Sequence, residues 1–287
     1  MTQPQIRDLL DHGRRDYRDD GLPRPVRTYL WHPATPDAGL PAPVVLLSHG
    51  TGGTASQLAW LAEPLADAGF LVASVDHHGN NLVDEYLPQG FAFEWERPRD
   101  LSFVLDVLAA ERPLGPVGAA GFSSGGYTAA ALLGARVDPD VLRALLDGHA
   151  PMPELPEFPG LLDALRKVLP RERYPAVLAE AASDWTDGRV RAAFLVCPAI
   201  GDLLTTESLA AIDRPVDIRW GEADTIAPPQ SNALRYLTNI RTATGRSAGT
   251  EVRHYDFLGE NPDGAVTRDQ VASDAVEFFI HWLNGDG

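Results

Sequence analysis

Six residues from Gly121 to Gly126, GFSSGG in one-letter code, constrain this chain more than any other stretch. They follow the small apolar run Pro116 to Ala120 and precede a helix-like run from Tyr127 to Gly134, so the local order is buried strand, sharp turn, helix. A GxSxG pattern in that setting presents its central residue, Ser123, on a strained turn. The glycines flank it because a Cβ at either place would strike the opposite side of the turn.

A serine hydroxyl is a weak nucleophile until a base takes its proton, and if the elbow is of the strand–turn–helix kind, an acid and then a histidine should follow it in the chain. Val216 to Trp220 reads as a short buried strand that runs into Gly221 to Pro229, GEADTIAPP. An acid in a loop just past a strand's carboxyl end lies on the side of an open α/β sheet where sites form, which makes Asp224 the expected acid. Glu251 to Asp256 reads as a last strand with His254 near its end, ahead of a long helix from about Thr267. A histidine placed there can reach back to both partners, so His254 is the expected base. Asp202, after the strand ending Val196, Cys197 and Pro198, is the competing acid, with Asp217 and Glu222 behind it.

The other histidines have plainer readings. His12 and His32 are surface or strand-edge positions, His281 fits a polar position on the terminal helix, and His149 opens a Pro-rich insert. His77 and His78 follow the strand Phe70 to Val75 and are candidates to bound the mouth of the site.

Attack on a carbonyl puts negative charge on its oxygen, and fixed backbone donors aimed there supply much of the rate, about 3 kcal/mol for one donor. The apolar run Pro43 to Ser48 leads into His49 to Gly53, HGTGG, a loop of the kind that gives one amide to such a hole; the residue after the serine gives the other. The expected donors are the backbone N–H groups of Thr51 and Ser124, with His49 holding the loop in shape.

These stretches, together with Ser48 to Asn81 as a whole and HYDFL from His254 to Leu258, resemble the dienelactone hydrolase-like branch of the α/β-hydrolases. That branch includes bacterial relatives of platelet-activating-factor acetylhydrolase. The resemblance covers roughly Val26 to the C-terminus. It implies the α/β-hydrolase fold, with a mostly parallel sheet covered on both faces. It also implies Ser123 as nucleophile, His254 as base and Asp224 as its orienting carboxylate. Two features depart from it: dienelactone hydrolases proper carry cysteine where this chain has Ser123, and the acetylhydrolases place their acid one strand earlier, where this chain has Cys197 and Pro198. The activity it implies is hydrolysis of small to medium, largely apolar esters or lactones through an acyl-enzyme. Acyl transfer or thioester hydrolysis by the same three residues is the alternative, and a catalytically silent binding module has no use for all four motifs.

No cofactor or metal is expected, since no HExxH motif, zinc-spaced Cys/His cluster or GxxxxGK loop is present. The net charge of −16 disfavours nucleic acid and anionic membranes as partners. The one cysteine, Cys197, excludes an internal disulfide, and its apolar setting reads as a buried inert thiol. The N-terminus shows no apolar leader and no stretch approaches the roughly 18 apolar residues of a membrane span, so a cytoplasmic protein is expected.

At 287 residues the chain can bury a full core, and one domain is expected over its length. Residues up to about Pro25 read as a solvated charged segment, Val26 to Trp31 as a strand, Ala55 to Ala68 and Arg97 to Ala110 as helices, and Ala192 to Cys197 as another strand. The region 137–189 interrupts the alternation, carrying Pro151, Pro153, Pro156, Pro159, Pro170 and Pro175 among helix-like pieces. It reads as a small cap bringing Met152, Leu155, Phe158, Leu161 and Leu162 to an apolar pocket, or as an excursion packed on the body. Trp60, Tyr86, Phe91, Phe93 and Trp95 are alternative pocket walls.

Overall fold

Three runs in this sequence, Val44–Ser48, Leu71–Asp76 and Val117–Phe122, are buried at every position in the computed structural model, which describes residues 3–34, 40–150 and 155–284. Unbroken burial is what parallel strands require when helices cover both faces. In chain order the strands are β1 (Gln5–Arg15), β2 (Pro23–Trp31), β3 (Val44–Ser48), β4 (Leu71–Asp76), β5 (Val117–Phe122), β6 (Val190–Val196), β7 (Val216–Gly221) and β8 (Ala243–Gly249). They form one sheet in the order β1-β2-β4-β3-β5-β6-β7-β8, antiparallel at β1, β2 and β4 and parallel from β4 onward.

The helices are α1 (Ala59–Asp67), α2 (Pro88–Ala92), α3 (Glu96–Glu111), α4 (Ser124–Ala131), α5 (Pro139–Asp147), α6 (Leu161–Val168), α7 (Tyr174–Ala181), α8 (Thr206–Ala211), α9 (Ala233–Asn239) and α10 (Ala265–Phe279). The strand pleat sorts the core. Leu46, Ala73 and Ala119 point to a face covered by α3, α4 and the helices of 137–189, whereas Val45, Leu47 and Ala120 point to the face covered by α1 and α10. Each face is a contiguous apolar cluster. This is the α/β-hydrolase fold.

The topology fixes where a site can form. β4 lies on one side of β3 and β5 on the other, so the chain reverses its direction of winding there, and a crevice opens beyond the carboxyl ends of β3 and β5. Ser48 is paired with Gly121, which sets the loop after β3 directly beside the turn after β5.

Three sequence expectations change. Gln5–Arg15, largely exposed as a solvated charged segment would be, is nevertheless an ordered edge strand, and its charges have partners across the sheet and on α3: Arg7 with Glu111, Asp8 with Arg27, Arg14 with Glu96. The helix expected over Ala55 to Ala68 is split into a 3-10 turn, Ala55–Leu58, and α1. The last strand is Ala243–Gly249 and not Glu251 to Asp256; its sequence ATGRSAG lacks an apolar face because it forms the open edge of the sheet. The residues after it form a short 3-10 turn, His254–Phe257.

Candidate active site

Ser123 sits between β5 and α4 with φ 56° and ψ −121°, a conformation that a side-chain-bearing residue adopts only when its surroundings impose it. The neighbouring glycines are what make the turn possible. A Cβ on Gly121 would stand 2.0 Å from the carbonyl oxygen of Gly125, and one on Gly125 would stand 1.9 Å from the carbonyl oxygen of Ser48. The backbone is pinned from β6: the Ser123 N–H donates to the carbonyl of Val196 at 2.9 Å, and the Ser123 carbonyl accepts from the Ala199 N–H at 3.0 Å.

The structure brings the three side chains expected from the sequence into one chain of hydrogen bonds. Ser123 Oγ lies 3.0 Å from His254 Nε2, and His254 Nδ1 lies 2.6 Å from Asp224 Oδ2. All three residues are buried, at 6 %, 3 % and 3 % exposure. The other carboxylate oxygen of Asp224 accepts the N–H groups of Ile226 and Ala227, at 2.9 and 2.8 Å, which fixes the acid's rotamer from its own loop. The ring of Phe122 packs against the imidazole with 4.7 Å between centroids. Asp202, the competing acid, is exposed on the wall of the same cavity, and Glu222 is exposed as well. Asp217 pairs with Arg219.

Thr51 and Ser124, the residues of the two expected oxyanion donors, both line the cavity over Ser123. Neither the Thr51 N–H nor the Ser124 N–H has an acceptor among the described residues, while the loop that carries Thr51 is held on every side. The Gly52 N–H donates to the side chain of Asn80, and Tyr86 Oη donates to the Gly52 carbonyl at 2.7 Å. His49 Nδ1 is 2.6 Å from the Gly50 carbonyl, and its Nε2 accepts the His77 N–H at 3.2 Å. Burial, reinforced by Arg97, holds the His49 imidazole far below its usual range, so the ring is a neutral brace in this loop.

His77 and His78 are not at the mouth. Both are buried behind the sheet's crevice, where His77 bridges Ser48 Oγ at 2.9 Å and Asp100 Oδ2 at 2.9 Å. Burial alone would raise the Asp100 carboxyl, but Arg24 and Arg14 beside it hold it well below the usual range. This cluster ties β1, β2, β3 and α3 into one polar knot under the loop that carries Thr51.

A cavity of about 700 Å³ opens over Ser123. Val137, Leu142, Leu145, Leu155 and Leu161 from the region 137–189 line it, together with Phe91 and Trp95. Phe158 packs edge-on against Phe91 with centroids 5.0 Å apart, and Leu162 packs into the core. Met152 lies outside the described residues. Trp60 and Phe93 stand away from the cavity wall, and Tyr86 is on it. The charged residues on the wall are acids, Glu94, Glu157 and Asp202, with no Lys or Arg among the described residues there.

Glu94, also on the cavity wall, carries little signal in the sequence. Its only signal is an isolated charge inside the aromatic run Phe91 to Trp95. Its carboxyl is raised by burial, an effect that Arg97 opposes from 3.6 Å.

One group of three possible metal ligands lies together among the described residues: Cys197, Asp224 and His254, with ligand atoms within 4.8 Å of one another. The Asp224–His254 hydrogen bond already occupies two of them. Burial, together with the Asp224 charge, pushes the Cys197 thiol up, away from the thiolate a metal would need. No helix among the described residues is long and apolar enough to cross a membrane.

Comparison with solved structures shows the same fold at low sequence identity. A puromycin-hydrolysing peptidase from Mycobacterium tuberculosis superposes with a TM-score of 0.61 at 14 % identity, over 99 % of this chain and 40 % of that one, so this chain spans well under half of that protein. An esterase from Thermogutta terrifontis with propionate bound gives 0.59 at 16 % identity over 99 % and 97 % of the two chains. A cold-adapted esterase from an Arctic intertidal metagenomic library gives 0.54 at 16 % identity over 98 % and 94 %. No curated protein matches the chain by sequence. Residues 39–246, which carry the HGTGG loop, the elbow and Asp224, match the family described as serine aminopeptidase, S33, and the chain therefore belongs to that family, as a hydrolase of the α/β-hydrolase superfamily.

Proposed function

We propose that the protein is a carboxylic ester hydrolase that forms an acyl-enzyme at Ser123 and acts on small to medium, uncharged, largely apolar esters or lactones. The observation that carries this reading is the continuous hydrogen-bonded line from Ser123 Oγ through His254 to Asp224, beside two backbone N–H groups without acceptors. His254 takes the proton of Ser123 as Oγ attacks the carbonyl carbon. Asp224 holds the imidazole in the tautomer that leaves Nε2 free to accept, and stabilises the imidazolium that results. The carbonyl oxygen, now negative, lies against the N–H groups of Thr51 and Ser124. Collapse of the intermediate expels the alcohol, which takes the proton back from His254, and a water activated by the same imidazole releases the acid.

The cavity favours this substrate class. Its volume of about 700 Å³ suits a ligand of moderate size, and its aliphatic and aromatic lining suits an apolar acyl or alcohol part. With three acids and no cation on the described wall, an anionic acyl group would be repelled. The region 137–189 acts as a cap that shapes this pocket within a single domain. On the motifs HGTGG, GFSSGG and GEADTIAPP we place the chain in the dienelactone hydrolase-like branch.

The test is hydrolysis of p-nitrophenyl acetate and butyrate, with aminoacyl anilides as the amide comparison. Ser123→Ala is expected to abolish ester turnover while the fold stays intact. Parental turnover in that variant, or amide hydrolysis faster than ester hydrolysis in the parent, defeats the proposal.

A further inference from the structure

Thr51 and Ser124, which line the same cavity, are joined through their side chains. Thr51 Oγ1 and Ser124 Oγ lie 2.6 Å apart across the gap between the loop after β3 and the start of α4, and Ser124 Oγ lies 3.3 Å from Glu94 Oε1. Glu94 stands in the turn before α3 with its side chain 12 % exposed, on the wall of the same cavity. A carboxylate can only accept. Ser124 has one hydroxyl proton and gives it to Glu94, so its oxygen accepts the proton of Thr51, and the direction of both bonds is set from Glu94.

The same end of α3 grips the two walls a second time, through Arg97. Its guanidinium donates to the His49 carbonyl in the loop and, from Nε, to Thr128 Oγ1 on α4 at 3.2 Å. Thr128 in turn donates to the Ser124 carbonyl at 3.0 Å. Arg97 thus holds the two backbones, while Glu94 holds the two hydroxyls of the residues whose amides lack acceptors. The mechanism gives these hydroxyls nothing to do, and the short contact between them crosses the one gap whose width decides whether both amides can reach a single oxygen.

We propose that Glu94 is a positioning residue of the oxyanion hole: through the Ser124 hydroxyl, and through Thr51 beyond it, Glu94 fixes the separation and aim of the two backbone donors. The proposal rests on the reading of Ser123 as nucleophile and of these amides as the donors. Donors aimed at the developing oxyanion act on the transition state and not on the bound ester, so loosening them lowers kcat and leaves KM nearly unchanged. Complete loss of one donor costs about a hundredfold or more, and misaiming a donor that is still present is expected to cost about tenfold.

Four variants and one inhibitor test this. Ser124→Ala and Thr51→Val remove a hydroxyl but keep the amide and the Glu94–Arg97 pair. Glu94→Ala removes the anchor, and Glu94→Gln keeps an acceptor of the same size. With p-nitrophenyl butyrate, the first three are expected to lower kcat by about tenfold with KM within about twofold. Affinity for butaneboronic acid, whose tetrahedral adduct on Ser123 places an oxygen in the hole, should fall in the same proportion. Glu94→Gln should retain most of the parental kcat, and Glu94→Ala should add no further loss in the Ser124→Ala background. Parental kcat in Ser124→Ala or Thr51→Val overturns the proposal, as does a Glu94→Ala loss that multiplies fully with Ser124→Ala. Should Glu94→Ala fail to fold, the Ser124 and Thr51 variants decide the matter alone. Retained turnover in Ser123→Ala, by contrast, defeats the underlying reading whatever these variants show.

Discussion

Ser123 and His254 are 131 residues apart in sequence, yet Oγ and Nε2 stand 3.0 Å apart, because each is delivered by a separate short turn beyond the carboxyl ends of the strands. Ser123 comes from the strained turn after β5. His254 comes from a single 3-10 turn, His254–Phe257, placed beyond β8, with Phe122 packed against its ring. Neither position depends on a long loop finding its place, so the pair is preformed and needs no rearrangement to transfer a proton.

The first prediction concerns the acid. Asp224→Asn keeps the size of the side chain but offers an N–H or a neutral oxygen to His254 Nδ1, which removes the preference for the productive tautomer. A loss in kcat of roughly ten-thousandfold with little change in KM is expected. Asp202→Asn alters an exposed residue that has no bond to His254, and its kcat should stay within about twofold of the parent. Steady-state kinetics on one p-nitrophenyl ester separates the two, and the larger loss in Asp202→Asn would reverse the assignment.

A second prediction follows from the packing under the elbow. Gly125→Ala places a methyl group 1.9 Å from the Ser48 carbonyl oxygen, a rigid main-chain atom of β3, so the elbow and the strand must move apart. We expect destabilisation of about 3 kcal/mol or more, together with loss of activity. Gly188→Ala meets nothing within 4 Å and should stay within about 0.5 kcal/mol of the parent. Thermal unfolding of the two variants side by side is the measurement; equal melting temperatures would refute the steric account.

How much of this was legible in the sequence depends on what each residue must do locally. Gly121 and Gly125 announce themselves because the turn admits nothing else, and Asp224 and His254 follow in the order that the fold imposes. β8 was not legible: ATGRSAG forms the outer edge of the sheet, needs no apolar face, and so lacks the pattern by which β3 and β4 are read. β1 was hidden for a related reason, since its charges are compensated by Glu111, Arg27 and Glu96, residues distant in sequence. Glu94 and Arg97 were missed because a buried charge is intelligible only with its partners in view. Those partners, Ser124, His49 and Thr128, lie about 30 or more residues away.

The third prediction is the acid limb of stability. Burial, with Arg97 nearby, lowers His77 to about 3, and burial, with Arg24 nearby, lowers His78 to about 4, against about 6.5 for an exposed histidine. Below about pH 6.5 the unfolded chain takes up protons that the folded protein refuses, so this contribution is complete above that pH and is lost as the pH falls toward 4. Each histidine removes roughly 1 kcal/mol for every pH unit in that window. Asp16 works in the same direction at lower pH. Burial would raise its carboxyl, but the bonds from Arg18 outweigh this and hold it at about 2. Glu94 and Asp76, both raised by burial, work in the opposite sense. Urea unfolding of the parent and of His78→Gln at pH 7, 6 and 5 isolates one term: the parent's slope with pH should exceed the variant's by about one proton, and identical slopes would contradict it.

The fourth prediction places the acyl chain. Leu142, Leu145 and Leu161 converge on the cavity wall from α5 and α6, and each methylene laid against such a surface gains about 0.8 kcal/mol. If the acyl group occupies this wall, kcat/KM should rise by about fourfold for each methylene from acetate to butyrate in the parent. Leu161→Trp fills part of that space. It should leave acetate turnover near the parental value and lower kcat/KM for hexanoate by about tenfold or more, since a clash in a packed pocket costs about 1 to 3 kcal/mol. A chain-length profile unchanged by this substitution would move the acyl group to the other wall, formed by Phe91 and Trp95, and leave the helices of 137–189 to the alcohol.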